Sequence, residues 1–320
     1  MSFHSKRNSM KSTILVCGAA GFIGRNLSRL LGSKGLSVIG LGRGVLTRQD
    51  QHLLGLSAWH SADVTIDSLH SVLNGEAPLA IIHCAGTGSV GAVYKDPHDS
   101  YISSVSSTAA ILEFVRTRCR QETRVVYVSS SAVYGSYVDG DSTESTPCRP
   151  ISPYGFLKLA GEDLCRAYSQ SFGVRVAVIR PFSVYGNGLK KQLLWDAMNK
   201  LIANEYSFLG TGNELRDWIH ADDVSKLLCD VATDRSLPDF DIFNASHSQM
   251  SVRDILGLLA LAADQPQLQP AFTGAAHTGN PQRLTGSSEH ARKVLGWSPS
   301  VDLAKGLSDY VQWFHQQRFQ

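Results

Sequence analysis

Residues 13–17, Thr-Ile-Leu-Val-Cys, form a short apolar run with the β-branched character of a buried strand, and Gly18-Ala19-Ala20-Gly21-Phe22-Ile23-Gly24 follows at once. Helical periodicity then carries from Arg25 to Leu31. A strand, a glycine turn and a helix in immediate succession point helix-terminal N–H groups at one spot, where glycines let a pyrophosphate approach the backbone. The glycines fall at GxxGxxG rather than GxGxxG. Their place between a first strand and a first helix makes them a dinucleotide signal rather than a simple turn. Gly18, Ala20, Gly21, Phe22, Ile23 and Gly24 are therefore candidate cofactor contacts.

Strand–helix units repeat down the chain. Ser37–Leu41 reads as a second strand that ends at Gly42-Arg43-Gly44, without the carboxylate that holds the adenosine ribose of NAD. Gly42 leaves room and Arg43 can pair with a 2′-phosphate, so NADP is the expected cofactor and NAD the alternative. The other reading of Arg43 is an ordinary solvated loop arginine. Ala58–Val64 ends a third strand, where Asp63 can accept from an adenine amino group with Val64 beside it. Leu79–Gly86 holds a fourth strand that breaks into small residues, placing Ala85 and Gly86 where a cofactor can lie against backbone. A long helix over Ser100–Arg118 leads to a fifth strand, Arg124–Val128, which runs into Ser129-Ser130-Ser131-Ala132-Val133-Tyr134-Gly135. Val174–Ile179 is the sixth strand. This alternation predicts an α/β fold built on a Rossmann-like doubly wound parallel sheet, with ligands beyond the carboxyl ends of its strands.

After Gly186 the regularity weakens. Ser207–Gly212 reads as strand and turn, Leu215–Val224 as a run into a capped helix, and Asp241–Asn244 as a short strand. Further helices are expected at Ser251–Ala263, Ser288–Leu295 and Leu303–Phe314.

Thirty basic residues against twenty-eight acidic ones give no electrostatic support to a nucleic-acid or membrane-surface role, so a small-molecule partner is expected. The six cysteines show neither CxxC nor a His spacing that frames a metal site, and reduced thiols without a metal are expected. Residues 1–11 are polar and basic, and no apolar run of signal or spanning length follows them. The reading is a cytoplasmic protein with a disordered N-terminal tail.

Ser152-Pro153-Tyr154-Gly155-Phe156-Leu157-Lys158 is a candidate for the chemistry, with a Tyr and a Lys decorating a solvated helix face as the other reading. Ser152 in a capping position and Pro153 in the first turn open a helix that sets Tyr154 and Lys158 one turn apart on one face. A positive charge near a phenol favours the phenolate, so the pair is a candidate acid/base device.

Together these stretches resemble the extended short-chain dehydrogenase/reductase family, the NAD(P)-dependent epimerase/dehydratase group acting on nucleotide sugars. The resemblance runs from about Ser12 to the C-terminus. It is carried by the glycine turn, the Ser129–Gly135 strand end, Tyr154-x-x-x-Lys158, Arg180-Pro181-Phe182-x-Val184-Tyr185-Gly186, Arg216-Asp217-Trp218-Ile219-His220-x-Asp222-Asp223-Val224 and Leu295-Gly296-Trp297-x-Pro299. It implies a dinucleotide-binding domain over 12–183 plus about 221–248, and a smaller mixed nucleotide-sugar-binding domain from 184–220 and 249–320. It implies Tyr154 as the proton-transfer residue, with Lys158 lowering its pKa and holding the nicotinamide ribose. It makes Ser130 the partner of the same sugar oxygen and Arg216 the clamp on the nucleotide diphosphate. Pro181 is a further cofactor contact, and Ser131, Ser183 and Arg283 are further substrate candidates, with an exposed surface arginine as the other reading of Arg283. Relatives dimerise through the helices that here contain Ser100–Arg118 and Tyr154–Phe172, so a homodimer is expected. Ala109, Ala110, Leu112, Val115, Leu159 and Leu164 suit either that seam or packing on the sheet.

Departures from the family narrow the reaction. Ser131 and Ala132 stand where 4,6-dehydratases carry an Asp-Glu pair, which disfavours dehydration and the related decarboxylation. Ser104 and Ser183 replace asparagines common in the family. Two catalytic readings remain: reduction of a 4-keto nucleotide sugar by NADPH, toward which Arg43 leans, and 4-epimerisation with a retained nicotinamide. A cofactor-bound regulatory protein is a third, and the intact Ser130, Tyr154 and Lys158 argue against it.

Overall fold

The computed structural model describes residues 13–119, 122–136, 140–274, 279 and 281–318, and the expected N-terminal tail lies outside them. The strands are β1 (Thr13–Cys17), β2 (Ser37–Gly42), β3 (Ala58–Ser61), β4 (Ala80–His83), β5 (Arg124–Val128), β6 (Arg175–Pro181), β7 (Ser183–Tyr185), β8 (Ser207–Phe208), β9 (Leu215–His220), β10 (Phe240–Ala245), β11 (Ser248–Ser251), β12 (Ala271–Phe272) and β13 (Arg283–Leu284). Seven of them pair in the order β10-β6-β5-β4-β1-β2-β3, and every pairing is parallel. This is the Rossmann-like doubly wound sheet that the alternation predicts. Strand order reverses between β1 and β4, which opens a crevice at their carboxyl ends.

The central strands are apolar on both faces because helices cover both. Ile14, Val16, Ile82, Val126 and Ile179 face the helices Phe22–Ser33 and Ala221–Thr233, burying Leu27, Leu31, Leu227 and Leu228. The alternate residues Leu15, Cys17, Ile81, Val125 and Val178 meet Leu69, Leu73, Ile111, Phe114 and Cys165 on the other side. Leu112 and Val115 belong to this second cluster, and Leu164 packs against it. Those three therefore take the sheet-packing alternative.

A third cluster joins Leu194, Met198, Trp218, Leu256, Leu307 and Phe314. It lies under a smaller mixed sheet in which β9 pairs with β7, β11 and β13. The helix Gln192–Ala203 contributes to this cluster and was not foreseen. Leu215–His220 is a strand rather than a helix entry, and the His220 ring accepts from the Asp222 backbone N–H to start the helix Ala221–Thr233. β3 stops at Ser61, three residues short of expectation, since Thr65 caps the helix Ile66–Leu73.

The long helix departs most. It starts at Pro97, where Asp96 accepts from the Asp99 backbone N–H, and two π segments, Ile102–Ser106 and Val115–Cys119, interrupt it. Ser107 and Thr108 donate to the carbonyls of Ser103 and Ser104 at 2.7 and 2.6 Å, bonds that compete with the regular ladder.

One buried ion pair ties the helix Pro153–Phe172 to the sheet. Arg180 on β6 donates to both carboxylate oxygens of Glu162, at 3.0 and 2.6 Å, and both side chains are at most 3% exposed. Ser129 donates to Glu162 at 2.5 Å, Arg180 also donates to the Tyr134 hydroxyl at 2.9 Å, and Tyr134 donates to Asn244 at 2.7 Å. Glu162→Met leaves the guanidinium buried without its partner, and a loss of about 3–5 kcal/mol in urea unfolding is expected. Glu162→Met with Arg180→Met should lose less than the single variant.

Candidate active site

The glycine turn closes tightly on its neighbours. Gly18 has φ +86°, and a Cβ there would lie 2.6 Å from the Ala85 nitrogen. A Cβ on Gly24 would collide with the Gly18 carbonyl. Gly21 caps the helix Phe22–Ser33 without any side-chain hydrogen bond. The first N–H groups of that helix therefore have no side-chain cap, and Gly21, Phe22, Ile23 and Gly24 line a cavity of about 500 Å³. An uncapped helix start facing a cavity fits the pyrophosphate of a dinucleotide.

The opposite wall comes from the end of β5 and the helix Pro153–Phe172. Glycines bring the two together: a Cβ on Gly155 would meet the Ala132 carbonyl at 2.6 Å, and one on Gly161 would overlap the Tyr127 hydroxyl. Ser152 caps this helix at the Gly155 N–H, 3.2 Å away. Ser130, Ser131, Tyr154 and Lys158 thereby line the same cavity, joined by Gly86, Pro181, Ser183 and Arg216.

Lys158 is 6% exposed and donates to the Val128 carbonyl at 2.8 Å. Burial lowers its pKa to about 8, with Lys191 adding repulsion and Cys84 and Glu162 opposing. It remains mostly charged at neutral pH. Burial raises the Tyr154 phenol above its ordinary value, and a hydrogen bond with Ser130 pulls it partly back. The expected lowering by Lys158 is not found. Its ammonium lies 5.9 Å from the Tyr154 ring centre and is engaged by the backbone, so burial dominates. Ser130 also accepts from the Ala132 N–H at 3.2 Å, which orients its hydroxyl at the start of a 3₁₀ turn.

Arg216 is 7% exposed and donates to the carbonyls of Leu215 and Pro281 at 2.8 and 2.7 Å. Burial lowers its pKa to about 10. Arg283, the other arginine expected near the diphosphate, is not in the cavity lining. It pairs with Asp141 at 2.9 Å and donates to Thr285. Gly18 and Ala20 form the back of the glycine turn, where the Ala20 carbonyl accepts from Arg25. Ala85 and Val64 pack into the core cluster behind it. Arg43 stands outside the cavity lining and lies between two carboxylates, Asp63 at 3.9 Å and Asp99 at 3.4 Å. Glu162, Lys191 and Thr87 were not singled out from the sequence. The signal for Glu162 was its place one turn after Lys158 on the same helix face.

A doubly wound sheet, an uncapped glycine turn at its switch point, and half-buried Ser130 and Tyr154 beside buried Lys158 in one cavity define a dinucleotide-dependent oxidoreductase site. The chain belongs to the NAD dependent epimerase/dehydratase family, whose model matches residues 14–246. It is an extended short-chain dehydrogenase/reductase of the nucleotide-sugar group. A dTDP-glucose 4,6-dehydratase of Mycolicibacterium smegmatis is 29% identical over 94% of this chain and 92% of its own length. A UDP-glucose 4-epimerase of the same organism is 28% identical over 95% of this chain and 98% of its own. Among solved structures, MoeE5 in complex with UDP-glucuronic acid and NAD superposes with a TM-score of 0.83 at 28% identity, covering 95% of this chain and 99% of that one. No helix of the described residues is long and apolar enough to cross a membrane.

The low pKa of Lys158 has a measurable consequence. Between pH 8 and 10.5 the unfolded chain holds this proton and the folded one has lost it, so the Lys158 contribution to stability rises with pH in that window. Below pH 8 the full penalty of burying the charge is present. Lys158→Met removes that penalty, so the stability of the variant relative to wild type should be greatest at pH 7 and shrink toward pH 10. Denaturant midpoints across that range check this. A gap that widens with pH contradicts it.

Proposed function

We propose that this chain is a nucleotide-diphosphate-sugar 4-epimerase that keeps NAD bound through each turnover. The observation that carries the reading is the set of groups around Tyr154. The one carboxylate among the described residues lining the cavity is Glu214, and it is engaged by the N–H groups of Thr211 and Gly212, each at 2.9 Å. Ser131 and Ala132 offer neither acid nor base beside the tyrosine. Removing water across C5 and C6 needs such a pair, whereas exchanging hydride and a proton at C4 needs one proton-transfer group. Tyr154 is that group, Ser130 hydrogen-bonds the same sugar oxygen, and Lys158 supplies the nearby positive charge. Arg216 holds the diphosphate, with a guanidinium suited to paired phosphate oxygens. The nicotinamide supplies, when bound, the acceptor and donor of hydride.

The runner-up is an NADPH-dependent 4-ketoreductase. At neutral pH the Tyr154 phenol is protonated, as the proton donor of a reductase must be, although burial makes it a weaker acid. Arg43 is less favourable to it than its sequence position suggests. With Asp63 and Asp99 both within 4 Å, an incoming 2′-phosphate meets two negative charges for one positive.

We also read the chain as two units, 12–183 with 221–248 and 184–220 with 249–320, supported by the separate apolar cluster of the second. A homodimer through the helices Pro97–Cys119 and Pro153–Phe172 is supported by exposed Tyr101, Ile102 and Phe156. The six unpaired cysteines suit a reducing, cytoplasmic setting.

Purified protein without added reductant should interconvert a nucleotide sugar and its C4 epimer. Net consumption of NADPH with a 4-keto sugar, and no interconversion, would select the reductase instead. Tyr154→Phe should lower kcat by about 10²–10⁴-fold with cofactor content retained. Asp63→Asn with Asp99→Asn should raise the NADP-to-NAD affinity ratio by roughly three- to tenfold, the range expected for two exposed charges. An unchanged ratio in a titration would show that these aspartates do not select the cofactor.

A further inference from the structure

Three cations face one carboxylate among the described residues lining the cavity: Lys158, Lys191 and Arg216 against Glu214. Glu214 is engaged by backbone N–H groups, Lys158 by the Val128 carbonyl, and Arg216 has its place at the diphosphate in the reading above. Lys191 has no part in that scheme. Lys191 is exposed at the cavity mouth, and partial desolvation there lowers its pKa.

Its position is set by the chain that crosses the cavity mouth after β7. The Lys191 ammonium rests on Gly88, so that a Cβ there would lie 2.6 Å from Nζ. The next residue, Gln192, has φ +67° and donates to the Gly88 carbonyl at 3.2 Å. A side-chain-bearing residue holds such a backbone only where its surroundings over-determine it. The bond to Gly88 does so here and keeps Lys191 over the loop that follows β4. The loop after β4 lies beside the end of β5 that bears Ser130, because the two strands pair, and this puts Lys191 toward the Tyr154 end of the cavity.

In a nucleotide-linked hexose the diphosphate is on C1, across the ring from C4. C4 is flanked by C3, which bears a hydroxyl, and by C5, which carries C6, and of these only C6 can be a carboxylate. A cation near the group that reacts at C4 therefore has an ionic partner where C6 is oxidised. We propose that Lys191 recognises a carboxylate at C6, so that nucleotide-linked hexuronates are preferred to neutral hexoses. This rests on the reading of Tyr154 as the group acting at C4.

The test compares UDP-glucuronate, UDP-glucose and UDP as ligands of the protein with its cofactor bound, by calorimetry and by epimerisation kinetics. Wild type should bind the uronate at least tenfold more tightly than the neutral sugar. Lys191→Met should lose about 10–100-fold in kcat/KM for the uronate, and at least tenfold more than it loses for the neutral sugar. Lys191→Arg should recover most of the difference. Equal losses with both sugars and with UDP would place the lysine on the diphosphate, and loss of bound cofactor would place it on the dinucleotide. Either result overturns the proposal, as does a wild type that does not prefer the uronate. A uronate preference that depends on Lys191, without interconversion at C4, would retain the recognition and overturn the epimerase reading instead.

Discussion

The bond between Arg180 and Glu162 is what the geometry of the cavity depends on. A helix can lie on a sheet at many offsets and rotations when only apolar side chains hold it, because dispersion and burial have little direction. A two-point guanidinium–carboxylate contact in a dry interior allows far fewer. Here it joins β6 to the helix bearing Tyr154 and Lys158, and Ser129 connects the same carboxylate to the end of β5. Ser130, the next residue, is thereby set relative to Tyr154 by the network that positions the helix. The glycines at 155 and 161 complete the arrangement by letting helix and strand approach.

The cavity built on this frame has an uneven charge distribution. Its positive groups sit at the reacting end and on β9, while the one carboxylate among its described lining residues is engaged by backbone N–H groups. Such a site suits a ligand that is negative at the diphosphate and relies on a single proton-transfer group. Outside the lining, Arg43 illustrates the converse. Its identity at a strand end invites a phosphate, and its two aspartate neighbours reduce that invitation.

Much of this was legible in local patterns. The glycine turn, the serine strand end and Tyr154-x-x-x-Lys158 each occupy a short stretch whose geometry is set by its own residues, and the cavity unites them. The parallel sheet followed from the alternation of strands and helices. What local patterns left open was long-range. Arg283 could not be separated from an exposed arginine until Asp141, far away in sequence, was placed beside it. The π segments of the Pro97–Cys119 helix and the helix Gln192–Ala203 depend on serine back-bonding and on a distant apolar cluster.

The sequence by itself determined the doubly wound fold, the place of the dinucleotide turn and the pairing of Tyr154 with Lys158, because each is encoded by neighbours within one or two helical turns. The tertiary structure decided the electrostatics. It showed burial rather than Lys158 governing the Tyr154 pKa, two aspartates meeting Arg43, and Lys191 resting over Gly88. Those quantities vary with distance and desolvation between residues far apart in the chain, and only folding brings such residues together.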